Sequence, residues 1–258
     1  MAFRLHPDES VTHGLRRLAR KELSKTRAEL RSARPPGGEV IHEARRSLKK
    51  ARSILQLVDD DGGSAINRSK RELRSVNRAL SLFRDADVML ETLGRFRTKH
   101  RPRMTEHSFA RLRGILAERR RATTKSAGRR REWNAVKRSL RAARQHAGEW
   151  KPAHHGRGTL THSIRAVHRR GRKAMMRARK RQQASDFHAW RKEIKSLWYA
   201  LRLLEESDAA VRRDVRALHE AETLLGDDHN LVVLCEALAS SQTPCRGAED
   251  LDRFTAHC

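Results

Sequence analysis

Residues 41–58, Ile-His-Glu-Ala-Arg-Arg-Ser-Leu-Lys-Lys-Ala-Arg-Ser-Ile-Leu-Gln-Leu-Val, hold two helical registers at once. Ile41, Ala44, Leu48, Ala51, Leu55 and Val58 step by three and four residues in alternation, the spacing of an apolar stripe that buries itself against other helices. His42, Arg45, Arg46 and Lys49 follow one position on, at i, i+3, i+4 and i+7, inside an arc of roughly 100° at 3.6 residues per turn. A basic ridge therefore runs beside a core face. The pattern returns 146 residues later, with Phe187, Trp190, Ile194, Leu197, Leu201 and Leu204 as the seam and His188, Arg191, Lys192 and Lys195 as the ridge. Two copies of His-x-x-Arg-[Arg/Lys]-x-x-Lys in register predict an internal duplication whose preserved part is a set of cations.

A lysine or arginine beside a bundle seam commonly does no more than lay its stem over apolar surface with its head in water. That reading does not account for His42 and His188 at the same place in both repeats. Each falls in the first turn after a chain break, where free N–H groups and the positive end of the helix dipole favour phosphate. The ridges are therefore candidate anion sites. Arg74 and Arg78, one turn apart, Arg84 just beyond them, and the cluster Arg169, Arg172 and Lys173 are further candidates, each as readily explained by a solvated helix face. Runs such as Arg119–Arg121 and Arg129–Arg131 point in several directions from one helix and read as a general field that steers anions.

The whole chain is polarised the same way. Its 58 Lys and Arg against 31 Asp and Glu give a formal charge of +27 over 258 residues, more than solubility asks for, so the expected partner is a polyanion: nucleic acid, an anionic membrane or inorganic polyphosphate. Aromatic residues are 4% of the chain, too few for the stacking platforms by which single strands are bound. No apolar run of about 18 residues is present to span a bilayer. The opening residues Met1–Ser10 have no apolar h-region, so no secretory signal is expected and the protein is expected in the cytoplasm. Cys235, Cys245 and Cys258 lack a Cys-x-x-Cys spacing and read as reduced thiols. Asp85 and Asp87, and Asp227 and Asp228 with His229, read as helix caps or partners of arginines; a metal site needs more converging oxygens. No nucleotide-binding, nucleophile-elbow or zinc-hydrolase motif occurs, and no catalytic residue, metal or cofactor is assigned.

Long charged amphipathic stretches and six prolines predict an all-α fold. Asp8 or Ser10 is expected to cap a helix running to about residue 33. The ridge helix follows Pro35-Pro36-Gly37-Gly38, and a long helix over about 65–99 bends near Phe83–Asp85. A very basic helix over about 104–146, interrupted at Gly114 and Gly128, completes four. Residues 147–158 read as the linker between halves, which divides the chain at 1–147 and 148–258. The second half is expected to hold helices over about 159–183, 186–206, 208–225 and 228–241, with Gly226 as a helix stop and the following aspartates as an N-cap.

Four blocks carry a family resemblance: Val40-Ile41-His42-Glu43-Ala44-Arg45-Arg46-Ser47-Leu48-Lys49, Leu82-Phe83-Arg84-Asp85-Ala86-Asp87-Val88, Phe187-His188-Ala189-Trp190-Arg191-Lys192-Glu193-Ile194-Lys195 and Leu224-Leu225-Gly226-Asp227-Asp228-His229-Asn230-Leu231. In order and together they resemble the signature of the CHAD family, the conserved-histidine α-helical domains, over about residues 8–241. The resemblance implies two four-helix bundles related by a pseudo-twofold axis, with a basic channel between them that binds inorganic polyphosphate, and association with polyphosphate granules. It carries binding roles to His42, Arg45, Arg46, Lys49, His188, Arg191, Lys192 and Lys195, and it places Arg84 in the family's Arg-Asp block. Asn230 stands where the family usually has aspartate, and His168 where this subtype often has an aromatic residue. No triphosphate-tunnel catalytic domain, a frequent fusion partner in that family, is recognisable, so a non-catalytic binding module is expected, with an architectural nucleic-acid binder as the alternative.

Overall fold

A computed structural model of the chain describes residues 3–6, 8–31, 38–58, 64–99, 105–125, 129–150, 157–205 and 208–239. Among these residues the fold is all-α, with helices α1 Val11–Glu29, α2 Gly38–Val58, α3 Ser64–Lys99, α4 Glu106–Lys125, α5 Arg129–His146, α6 Arg157–Arg181, α7 Ala184–Arg202 and α8 Ala209–Ala239. None of them is long and apolar enough to cross a membrane. Ser10 caps α1, its side chain accepting from the His13 N–H at 3.3 Å, which satisfies one of the free donors of the first turn. The seam of α2 is buried as its spacing requires: Ile41, Ala44, Leu48, Ala51, Leu55 and Val58 are each at most 2% exposed.

The second seam is looser. Leu197 is buried, but Phe187, Trp190, Ile194, Leu201 and Leu204 remain half-buried. The difference follows from the neighbours: α2 is flanked by α1, α3, α6 and α7, whereas α7 packs on α6, α8 and α2. The described part of the second half thus contributes three helices where the first contributes five.

Two boundaries differ from the sequence reading. The basic region after residue 104 forms two separate helices, and α4 runs straight through Gly114, where a Cβ would meet open space; the second interruption, Gly128, lies outside the described residues. The helix expected over about 65–99 is present as α3. Gly226 does not stop a helix: α8 is one helix of 31 residues that passes through it. Its lack of a side chain has another use, because a Cβ there would approach the Arg191 guanidinium to 3.1 Å.

Two apolar clusters hold the helices together, and both cross the residue-147 boundary. The larger joins Leu15, Leu18 and Leu23 of α1, the seam of α2, Leu73 and Leu80 of α3 and Trp133 of α5 to Tyr199, Ala200 and Leu203 at the end of α7. The smaller packs Met89, Leu93 and Phe96 of α3 and Leu112 and Leu116 of α4 on Leu234 and Leu238 of α8. The stretch read as a linker begins inside the core: Trp150 is fully buried and its indole N–H donates to Ser69 Oγ at 2.9 Å.

Candidate polyanion-binding groove

Four helices wall one open groove of about 1330 Å³, α2 and α3 from the first part of the chain and α7 and α8 from the last. Because α2 packs directly on α7, the face that each helix turns inward beside its buried seam is the basic ridge. His42, Arg45 and Lys49 line one side, and His188, Arg191, Lys192 and Lys195 the other. Arg84 joins them from α3, and His229 and Asn230 from α8. Residues 146 apart in sequence thus share one space.

The cations crowd each other. Burial pushes the Lys49 ammonium down to about 7, and Lys195, Arg45 and Arg191 push the same way. Arg45 is lowered by burial despite Asp85 at 3.7 Å, and its guanidinium donates to Ser81 Oγ at 2.8 Å. Lys195 is lowered first by burial, with Glu222 opposing. His188 is pushed to about 4 by burial and then by His229, Lys192 and Arg191, and its ring lies 3.9 Å, centroid to centroid, from that of His229. His42 is lowered by burial, then by Arg84 and Lys49. Both ridge histidines are therefore neutral donors or acceptors in the empty protein at neutral pH. His188 Nδ1 and Arg191 Nε are buried without a hydrogen-bond partner, so nitrogen atoms in this wall have bonding capacity to offer a ligand.

One carboxylate sits beneath the cluster. Glu222 of α8 is 8% exposed, accepts from Arg191 Nη2 at 3.3 Å and is ion-paired with Lys195 Nζ. Burial alone would raise its pKa, but Lys195, Arg191 and Lys49 outweigh burial and hold it below the ordinary carboxylate value. It faces Lys49 of α2 and Lys195 of α7. Arg84 carries a different partner, donating both terminal nitrogens to Glu91 at 2.8 Å each.

Not every candidate reaches the groove. Arg46 points away from the groove, with its side chain 57% exposed, and pairs with Glu43 at 3.0 Å, although Lys192, at the same place in the other ridge, lines it. Arg74 and Arg78 are exposed on α3, whose Asn77 and Ser81 face the groove instead, and Arg169, Arg172 and Lys173 are exposed on α6, which does not wall it. The aspartates pair with arginines: Asp87 with Arg120 at 2.8 Å and Asp227 with Arg95 at 2.9 Å, the second pair tying α8 to α3. Among the described residues no three His, Cys, Asp or Glu side chains converge as a metal site. Sequence reasoning missed Arg52, His229 and Glu222. Arg52 was within reach, since it extends the ridge by one more turn from Lys49 at i+3; Glu222 carries no pattern of its own.

Comparison with known proteins bears on this arrangement. The sequence profile described as the CHAD domain matches residues 11–239. No curated protein matches the chain. Among solved structures, the crystal structure of the CHAD domain from the plant Ricinus communis superimposes with a TM-score of 0.71 at 18% sequence identity, covering 100% of this chain and 88% of that one. At that identity the likeness speaks for the fold, and the profile, spanning both ridges, speaks for the lineage: the chain belongs to the CHAD domain family.

Proposed function

We propose that the protein binds inorganic polyphosphate along the groove between α2 and α7, as a binding module without catalysis of its own. The observation that carries this reading is the convergence of two similar ridges on a single space, His42, Arg45 and Lys49 from α2 and His188, Arg191, Lys192 and Lys195 from α7. Arg45 and Arg191 supply forked donors that match phosphate oxygens, Lys49 and Lys195 supply compact charges, and the histidines supply titratable donors. Each ridge extends about 10.5 Å from its histidine to its lysine at 1.5 Å per residue, so the pair can neutralise several consecutive phosphates. A groove walled by four helices is expected to admit a thin flexible chain more readily than a duplex. Retention at polyphosphate granules follows if the chain in the groove belongs to a granule.

Direct titration with polyphosphate tests the site. The variant Arg45→Ala, Lys195→Ala, with one change on each ridge, is expected to lose about a hundredfold in affinity, on the order of 1.5 kcal/mol for each charged contact. Arg46→Ala, outside the groove, is expected to stay within about twofold. Equal losses from both would mean that net charge, and no groove, does the binding.

A further inference from the structure

We propose that a ridge of cations on α6 continues the groove across its rim and holds the part of a polyphosphate chain that emerges from it. This extension rests on reading the groove as a polyphosphate site.

Helix α6 touches the body through a narrow stripe in which Leu160, Ser163, Val167, Gly171 and Ala178 are buried. Beside that stripe Arg170, Lys173, Arg177 and Lys180 stand at i, i+3, i+7 and i+10, in an arc of roughly 80° and over a length of about 15 Å. All four are exposed. Arg170 marks where this ridge meets the groove: its Nε donates to Glu193 at 3.1 Å, and Glu193 lines the groove. On its other side Arg170 acts electrostatically on Lys70 of α3, as does Arg74, and Arg74 acts in turn on groove-lining Arg52. Arg52, Arg74, Lys70 and Arg170 thus form a series of mutually interacting cations that leads from the groove to α6, with Glu193 the carboxylate at the junction.

Among the described residues no carboxylate pairs with Lys173, Arg177 or Lys180. A surface helix that merely kept the protein soluble would intersperse both signs. A membrane-lying helix would turn apolar residues outward beside its cations, but the apolar stripe of α6 is spent on the body, and Met176 is its one exposed large apolar side chain. A ridge that meets an anion groove at Arg170 and whose other three cations have no carboxylate partner among the described residues fits the same strand, further along.

The test compares two lengths of inorganic polyphosphate, one short enough to lie within the groove and one several times longer, at fixed moderate salt. Two triple variants of the full chain are used. One is Lys173→Ala, Arg177→Ala, Lys180→Ala. The other, Arg131→Ala, Arg138→Ala, Arg141→Ala, removes three exposed cations from α5, which does not wall the groove. The α6 triple is expected to bind the short chain within twofold of wild type and to lose about tenfold on the long one, as counterion release at the lost contacts disappears. The α5 triple is expected to lose far less on the long chain. Equal long-chain affinity in the two triples, or equal losses on both lengths in the α6 triple, overturns the extension while leaving the groove in place. No short-chain binding by the wild-type protein overturns the groove reading and the extension together.

Discussion

Lys49 and Glu222 set the chemistry of the groove. With its pKa near 7 when folded and near 10.4 when unfolded, Lys49 is charged in both states below pH 7, and there the cost of burying its charge is fully felt. That cost fades as pH rises from 7 towards 10, so this residue makes the ligand-free protein more stable at alkaline pH. Lys49→Met is accordingly expected to raise the thermal midpoint at pH 6.5 by a few degrees, read by calorimetry; a fall would mean that the ammonium is better solvated than its surroundings indicate. A bound phosphate restores the proton, because the cation then gains charge-assisted hydrogen bonds. The groups facing Lys49 are Arg45, Arg191, Lys195 and Glu222; Lys195 is also lowered, but Glu222 opposes that shift. Polyphosphate affinity should therefore strengthen as pH falls from 9 to 7 in the wild type and stay nearly flat over that interval in Lys49→Met. The histidines act lower. With His188 near 4 and His42 also lowered, any further tightening from pH 7 to 5.5 belongs to them and is expected to vanish in His42→Gln, His188→Gln. Glu222→Gln separates holding the fold from holding the ligand. Removing one partner of a mostly buried pair is expected to destabilise the empty protein by about 2–4 kcal/mol, while losing the competing anion tightens polyphosphate binding severalfold at pH 6.5. Weaker binding together with lower stability would make Glu222 a positioning residue for Arg191 and Lys195 and not their resident counter-ion.

At the level of helices, the first repeat was the legible one. The seam of α2 reads directly from its spacing because four other helices cover it, and periodicity reports burial only where something buries the stripe. The same spacing in α7 meets less cover and leaves half-buried aromatics. Local rules failed at Gly226, where Leu-Gly-Asp-Asp has the composition of a helix end followed by a cap. The glycine is needed instead for the approach of Arg191 from α7, a tertiary contact that no local pattern records. Gly226→Ala follows from this. At a helix stop with a left-handed glycine, alanine would destabilise by about 1 kcal/mol or more. Inside a continuous helix it gains up to about 1 kcal/mol of propensity, and its cost appears in the groove as Arg191 is displaced. Unchanged or slightly raised stability with about five- to tenfold weaker polyphosphate binding is the expected pair of results, from a melt and a titration. Loss of stability with intact binding would restore the break.

Across the whole molecule, charge and connectivity serve different ends. The excess of cations draws any polyanion to the surface at long range, with a Debye length of about 8 Å at physiological ionic strength, and so cannot choose among ligands. Under the proposed function choice falls to the groove, where ridges 146 residues apart meet because apolar clusters knit α3 to α8 and α1 and α2 to the end of α7. The existence of two ridges, seven of whose eight residues line the groove together with Arg84, was visible in the sequence. Which further arginines joined them was not: exposure of Arg46, Arg74 and Arg169 depends on which helix lies opposite, and a repeat spacing carries no information about that. Binding is expected to weaken linearly with the logarithm of salt, by analogy with a slope of about −0.7 per phosphate engaged on single strands. The most direct measurement is a competition titration near physiological salt, in which inorganic polyphosphate and duplex DNA each displace a labelled polyphosphate from the full chain, compared per unit of charge. A defined groove requires polyphosphate to displace the label at far lower charge equivalents than the duplex; equal displacement per charge would contradict it and make the protein a general binder of polyanions.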